Sequence, residues 1–195
     1  METANHDRAS ICQIGVACIR AYNTIKTWTT SVDPGISRWA FTGLYGISNA
    51  TVRGAPTFDQ VLPLLEATLS GLIVYQHSNF DRSILHAACA GIGRPEPEWD
   101  WQNSVTIARR AWPELKGNGE HGLASLKGFL GLSSDHHDAG EDARATAEVV
   151  LHAEGSGSSA CLSVADHEGF DVIEEEQAMK VTAVKSALEN PISRN

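Results

Sequence analysis

Three acidic residues far apart in the chain, Glu2, Asp81 and Asp142, stand where a folded α/β domain could bring them to one sheet edge. Glu2 lies just before the first apolar run, Asp81 heads a helical pattern that follows a strand pattern, and Asp142 falls on the last strong helical pattern. Carboxylates are the hard oxygen donors that Mg²⁺ and Mn²⁺ prefer, and two such ions about 3.5–4 Å apart stabilise both attacking and leaving oxygens when a phosphodiester is cleaved. An acid at a helix start also has a plainer use, capping the helix or meeting its dipole, and for Asp81 alone that use has the stronger claim. His137 stands five residues before Asp142 in His137-Asp138-Ala139-Gly140-Glu141-Asp142. An imidazole with an unperturbed pKa of about 6.5 suits removal of a proton from an attacking water near neutrality. Taken singly, a histidine in this polar loop is a solvated surface residue, and His136, His6, His86, His121, His152 and His167 keep that reading.

The elements that must position these groups follow from periodicity. Residues 11–19, Ile-Cys-Gln-Ile-Gly-Val-Ala-Cys-Ile, form a short β-prone run buried on at least one face, and residues 22–32 alternate as a second strand that ends at Asp33-Pro34-Gly35. The pair predicts an antiparallel hairpin. Pro56 with Thr57 opens a helix whose Phe58, Val61, Leu62, Leu65 and Leu69 share one face and which Gly71 closes. A buried strand is expected over Leu72 to Tyr75, then a helix from Asp81 to Ala90 with Ile84, Leu85, Ala88 and Cys89 on one side. Further helices are expected over Val105 to Trp112, Leu123 to Leu130, and from about Gly140 into residue 152. Strands first and helices later indicate an α/β layered domain with a mixed sheet.

Composition narrows the classes. A chain of 195 residues, 42% of them hydrophobic, holds one ordinary domain and a modest appendage. Gly155-Ser156-Gly157-Ser158-Ser159 has linker composition, which divides the chain into a domain over residues 1–152 and a linker with an acidic tail over 153–195. The formal net charge is −9, of which −5 falls on residues 151–195, so no broad basic surface tracks a nucleic-acid backbone. An enzyme that grips a strand end through divalent ions does not need one. Cys12, Cys18, Cys89 and Cys161 show no metal-ligand spacing and suit a reducing cytoplasm. No apolar run approaches the roughly 20 residues of a membrane span, and Met1 is not followed by a basic then apolar leader, so a soluble, unexported, cytoplasmic protein is expected.

Three blocks together resemble the DEDDh exonucleases, whose members include the proofreading subunit of bacterial replicative DNA polymerase: Glu2-Thr3-Ala4 leading into Ser10-Ile11-Cys12-Gln13-Ile14-Gly15, His77-Ser78-Asn79-Phe80-Asp81-Arg82, and His137-x-Ala139-x-x-Asp142. Supporting stretches are Tyr45-Gly46-Ile47-Ser48, Ala55-Pro56-Thr57-Phe58, Ala108 to Pro113 and His121 to Leu126. The likeness covers roughly residues 1–152. It implies a ribonuclease-H-like fold holding two Mg²⁺ or Mn²⁺ ions through Glu2, Asp81 and Asp142, with His137 as base. It also implies a substrate end lying beside Thr3 and Ala4, and binding roles for His77 and for Phe80, the latter supporting the site from within the fold. The implied reaction is 3′-to-5′ release of nucleoside monophosphates from a single-stranded or 3′-terminal DNA, with RNA as the alternative substrate and a DNA polymerase subunit as the alternative partner.

The sequence departs from that pattern in two places. The family's first block reads Asp-x-Glu, whereas here Met1 holds the middle position and the aspartate is absent; the second block has Gln76-His77 where many members have His-Asn. The first departure leads us to expect a first strand that is missing, and a native product longer at its N-terminus with aspartate directly before Met1. It also keeps a second reading open, a catalytically impaired nuclease-like protein that binds nucleic acid or a partner.

Overall fold

A computed structural model describes residues 1–117, 121–132 and 138–157. Glu2 and Thr3 form a two-residue strand, β1 (Glu2–Thr3), ahead of the apolar run, where the first strand was expected to be missing. It pairs antiparallel with β2 (Ile11–Ile19), which from Gln13 to Ile19 pairs antiparallel with the full length of β3 (Ile25–Ser31). The hairpin was expected to resume at residue 22. It resumes at Ile25 because Tyr22 and Asn23 take left-handed φ values of 59° and 57° in the connecting turn.

The chain continues through α1 (Thr42–Tyr45), α2 (Phe58–Leu69), β4 (Ile73–Gln76), α3 (Phe80–Gly91), β5 (Asp100–Asn103), α4 (Ser104–Ala111), α5 (Leu123–Leu130) and α6 (Ala139–Gly157). This is the expected α/β layering. Both strand senses of a mixed sheet are present, but among the described residues they are hydrogen-bonded as two sheets, antiparallel β1-β2-β3 and parallel β4-β5. The strand at β4 was expected to be buried, yet Ile73 is 56% exposed. Among the described residues its backbone pairs on one side only, with β5, and β4 lines a cavity of about 880 Å³ together with Gly15 to Ile19 of β2.

The apolar face read from the sequence in α2 is the buried one: Phe58, Val61, Leu62, Leu65 and Leu69 are all buried, and the first four join Ile11, Ile14, Ile84 and Leu85 in the principal core. Each such burial is worth roughly 1.5–3 kcal/mol. The Gln60 side chain accepts from the Thr57 N–H at 2.9 Å, which fixes the helix start. A second cluster, Ala108, Trp112, Leu126, Val149 and Ala153, packs α4 and α5 onto α6. α6 reaches five residues past position 152, through Gly157, so the glycines of the linker composition begin inside it.

α6 lies close on the hairpin for a local reason. A Cβ added to Gly15 of β2 would collide with the backbone of Ala139 and Gly140, and one added to Gly140 would collide with the Thr29 hydroxyl of β3. Glycine at both positions brings the first turn of α6, and Asp142 with it, onto the sheet. Among the described residues no helix is long and apolar enough to cross a membrane.

Candidate active site

One end of the cavity between β2, β4 and α6 is acidic. Glu2 from β1, Asp81 from the first turn of α3 and Asp142 from the first turn of α6 all line it. Both aspartates therefore occupy the helix-start positions at which an acid meets the positive end of a helix dipole. The plain use and the chemical one coincide at the same residues.

Each carboxylate has a partner. The Met1 ammonium donates to Asp81 Oδ1 at 2.8 Å, the Lys127 ammonium to Asp142 Oδ1 at 2.6 Å, and the Tyr45 phenol to Glu2. Glu2 is buried at 7% exposure. Burial, first of all, pushes its carboxyl up from the ordinary 4.5 to about 7, with Asp142 and Asp81 adding like charge and the Met1 ammonium and the Tyr45 hydrogen bond working against the rise. The Tyr45 phenol is pushed up to about 12, by burial and then by Glu2. Burial opposes a charged amino group on Met1, but Asp81, Glu2 and Asp142 outweigh it and the net shift is upward.

Among the described residues no three His, Cys, Asp or Glu side chains stand close enough to clasp a metal ion. The donor set nevertheless has the chemistry of one: three carboxylates on one cavity end, one of them reluctant to ionise beside the other two. Oxygen ligands of this kind suit Mg²⁺ or Mn²⁺.

The other residues read from the sequence are placed as follows. His77 lines the cavity, with both ring nitrogens engaged inside the fold. Nε2 is 2.9 Å from the His121 carbonyl and so carries the hydrogen, leaving Nδ1 to face the Ser104 hydroxyl at 2.9 Å. Burial lowers its pKa, and the ring is held neutral. Phe80 was expected to support the site from within; it is 44% exposed at the cavity rim, because Ser78 turns the chain with φ 83° and starts α3 at Phe80 itself. Thr3 and Ala4 are buried at 4% and 1% and stand off the cavity wall, Ala4 packing with Cys12 and Val52. His137 lies outside the described residues.

Four positioning residues were given no role by the sequence reading. Asp138 caps α6, its Oδ1 accepting from the N–H of Gly140 and Glu141 at 2.9 and 3.1 Å. Gln13 of β2 holds that cap, donating to Asp138 Oδ2 and accepting from the Ala139 N–H, both at 2.9 Å. His121 was read as a solvated histidine; it is buried, with Nε2 3.0 Å from the Trp112 carbonyl. Lys127, on the buried face of α5, is the fourth. The spacing of Gln13 and Asp138, 125 residues, shows why no local pattern could mark them.

Comparison with known proteins gives a consistent picture. The RNase_T family, described as exonuclease, matches residues 2–150. The chain is 31% identical over 144 residues to a PolC-type DNA polymerase III of Caldanaerobacter subterraneus subsp. tengcongensis, covering 72% of this chain and 10% of the polymerase. It is likewise 31% identical over 140 residues to a putative bifunctional exonuclease/endonuclease protein of Mycobacterium tuberculosis, covering 71% of this chain and 21% of the relative. The chain thus spans about a tenth of the polymerases it matches. Among solved structures, the nuclease domain of 3'hExo, a DEDDh family member bound to rAMP, superposes with a TM-score of 0.60 at 17% identity, covering 80% of this chain and 96% of that one. A 3'-exonuclease in specific recognition of the 3' end of the histone mRNA stem-loop superposes at 0.57 and 16%, covering 75% and 83%. At those identities the likeness is one of fold, and it agrees with the ribonuclease-H-like arrangement expected.

Proposed function

This chain belongs to the exonuclease family, and from that premise we propose that it removes nucleotides one at a time from the 3′ end of a DNA strand with the help of Mg²⁺ or Mn²⁺. The observation that carries the reading is the meeting of Glu2, Asp81 and Asp142 at one end of one cavity. Those three residues would hold the ions, which when bound supply Lewis-acid charge to the scissile phosphate. The chain's own groups do the rest. His137 takes the proton of the attacking water as its oxygen bonds to phosphorus; the bond from phosphorus to the preceding nucleotide's 3′-oxygen breaks, and that oxygen leaves with a proton from solvent. Exposed Phe80 at the rim offers a face for the terminal base to stack on, a contact worth roughly 1–3 kcal/mol per base. Neutral His77 donates inward and shapes the wall beside it.

RNA is a second substrate reading, favoured by the rAMP bound to the nuclease domain that shares this fold. The polymerase relatives favour DNA and make a polymerase a candidate partner. We take residues 1–152 as the catalytic unit, 153–195 as linker and tail, and the cytoplasm as the compartment.

The test is a 5′-labelled single strand of DNA or RNA incubated with the purified chain and Mn²⁺, Mg²⁺ or EDTA. A ladder shortening from the 3′ end with Mn²⁺ and absent with EDTA is expected. Strand binding with no shortening under any ion would overturn this in favour of the catalytically impaired binding protein.

A further inference from the structure

Lys127 is the one buried lysine or arginine among the described residues, at 3% exposure, yet its neighbours on α5 are Leu126 and Leu130, which pack into an apolar cluster. Its side chain is 4% exposed. It ends 2.6 Å from Asp142 Oδ1, while the Asp142 side chain remains 36% exposed at the acidic end of the cavity. Stability is a poor account of such a pair, because taking the lysine's charge out of water costs about what its attraction to a partly exposed carboxylate returns, and an apolar side chain of similar length would serve the packing as well. What the lysine changes is the charge at the acids.

We propose that Lys127 is a built-in cation that competes with the divalent ion for Asp142, and so sets how tightly this site binds metal. The proposal rests on the reading of Asp142 as a metal ligand. With Oδ1 engaged, Asp142 offers an incoming ion only its second oxygen until the ammonium moves aside. The ion also meets a like charge a few ångströms away in a partly buried setting, where repulsion is weakly screened. Lys127 is then a positioning residue: it holds the Asp142 carboxylate in one orientation before an ion arrives and yields it afterwards.

Direct titration of the full chain with Mn²⁺, followed by calorimetry and by the free-ion signal in electron paramagnetic resonance, reads this without any turnover. Lys127→Met should bind Mn²⁺ about tenfold more tightly than wild type, Lys127→Gln should fall between them, and Lys127→Arg, which keeps the charge, should remain near wild type. In an Asp142→Asn background the gain from Lys127→Met should vanish. Melting curves identify any variant that has not folded, and the glutamine variant serves should the methionine one fail. Equal or weaker Mn²⁺ binding by both folded neutral variants overturns the role of Lys127 while leaving the metal reading intact. No Mn²⁺ binding by any form, wild type included, overturns both.

Discussion

The two ends of the cavity between β2, β4 and α6 are built on opposite principles. At the acidic end Glu2, Asp81 and Asp142 are each met by a specific partner, Tyr45, Met1 and Lys127. At the other end Leu65, Leu69, Ile73 and Val150 line apolar walls, the edges of β2 and β4 face each other without pairing among the described residues, and the Trp101 indole N–H is buried without a partner. Charge placement organises the first end. Nonpolar packing, with backbone left unpaired, organises the second. The lesson is that activity and stability should separate along this cavity.

The largest effects test that separation. Asp81→Asn and Asp142→Asn should each lower 3′-end degradation by roughly 10²- to 10³-fold, and His137→Ala by 10²- to 10⁴-fold; the melting temperature of His137→Ala should change little, while the two asparagine variants, which leave the Met1 and Lys127 ammoniums unmatched, should also melt lower. Leu65→Ala should do the reverse, costing about 2–5 kcal/mol of stability in denaturant titrations with the rate per folded molecule within a few-fold of wild type. Equal losses of both properties from both ends would show that the cavity acts as a single unit.

Next in size is a pH effect confined to the acidic end. The Glu2 carboxyl titrates at about 7 in the folded chain against an ordinary 4.5, so between those values the folded state binds the extra proton. Its contribution is full below about pH 4.5 and is lost as pH rises through about 7, on the order of 3 kcal/mol in all. His77 acts in the opposite sense: with its pKa lowered, its contribution is present above the ordinary 6.5 and lost as pH falls through the folded value. Melting across pH 4–8 should show wild type losing stability from 4.5 to 7 relative to Glu2→Gln. A Glu2→Gln curve parallel to wild type would mean that Glu2 ionises normally.

A smaller effect concerns the scaffold between the two ends. Gly15→Ala places a methyl against the Ala139 and Gly140 backbone, which cannot give way as a side-chain tip would, and should cost roughly 1–3 kcal/mol. Because α6 carries Asp142, its activity per folded molecule should fall too, unlike that of Leu65→Ala. An unchanged melting temperature would show that α6 can shift freely on the hairpin.

What the sequence revealed and what it hid follow the same division. The run 11–19 was legible as a short apolar stretch with β-branched residues, and the α2 face because burial on one side of a helix imposes a period of 3.6. β5, Asp100-Trp101-Gln102-Asn103, was not: it has no β-branched residue and no alternation, and its parallel pairing with β4 is a long-range fact. The convergence of Glu2, Asp81 and Asp142 was readable because each is tied to the end of a recognisable element. Their partners were not, since Lys127 looks like the solvated residue of an amphipathic helix and only the packing of α5 on α6 turns it inward. Tyr45 was hidden likewise, on a helix of four residues too short to show a period.

The smallest predicted effect falls on the joint that fixes Asp142. Asp138 accepts two N–H groups at the start of α6 and is itself held by Gln13, so its side chain ties the helix start to β2. Removing such a cap costs typically about 1 kcal/mol, and Asp138→Ala should lower stability by that amount. Fraying does not spread evenly. It is confined to the first turn, and that turn contains Glu141 and Asp142. A carboxylate that must be placed within a fraction of an ångström is more sensitive to this than the core is, so activity should fall by more than the roughly fivefold that about 1 kcal/mol would represent if stability and rate were coupled one to one. Asp138→Ser restores a capping oxygen but not the bond from Gln13 and should recover most of the stability with only part of the rate, and Asp138→Asn, whose single amide oxygen can cap the helix while its NH₂ meets the Gln13 donor, should behave alike. Melting curves and single-turnover degradation on the same preparations decide it: a rate that tracks stability across all three variants would reduce Asp138 to an ordinary helix cap with no bearing on the acids beside it.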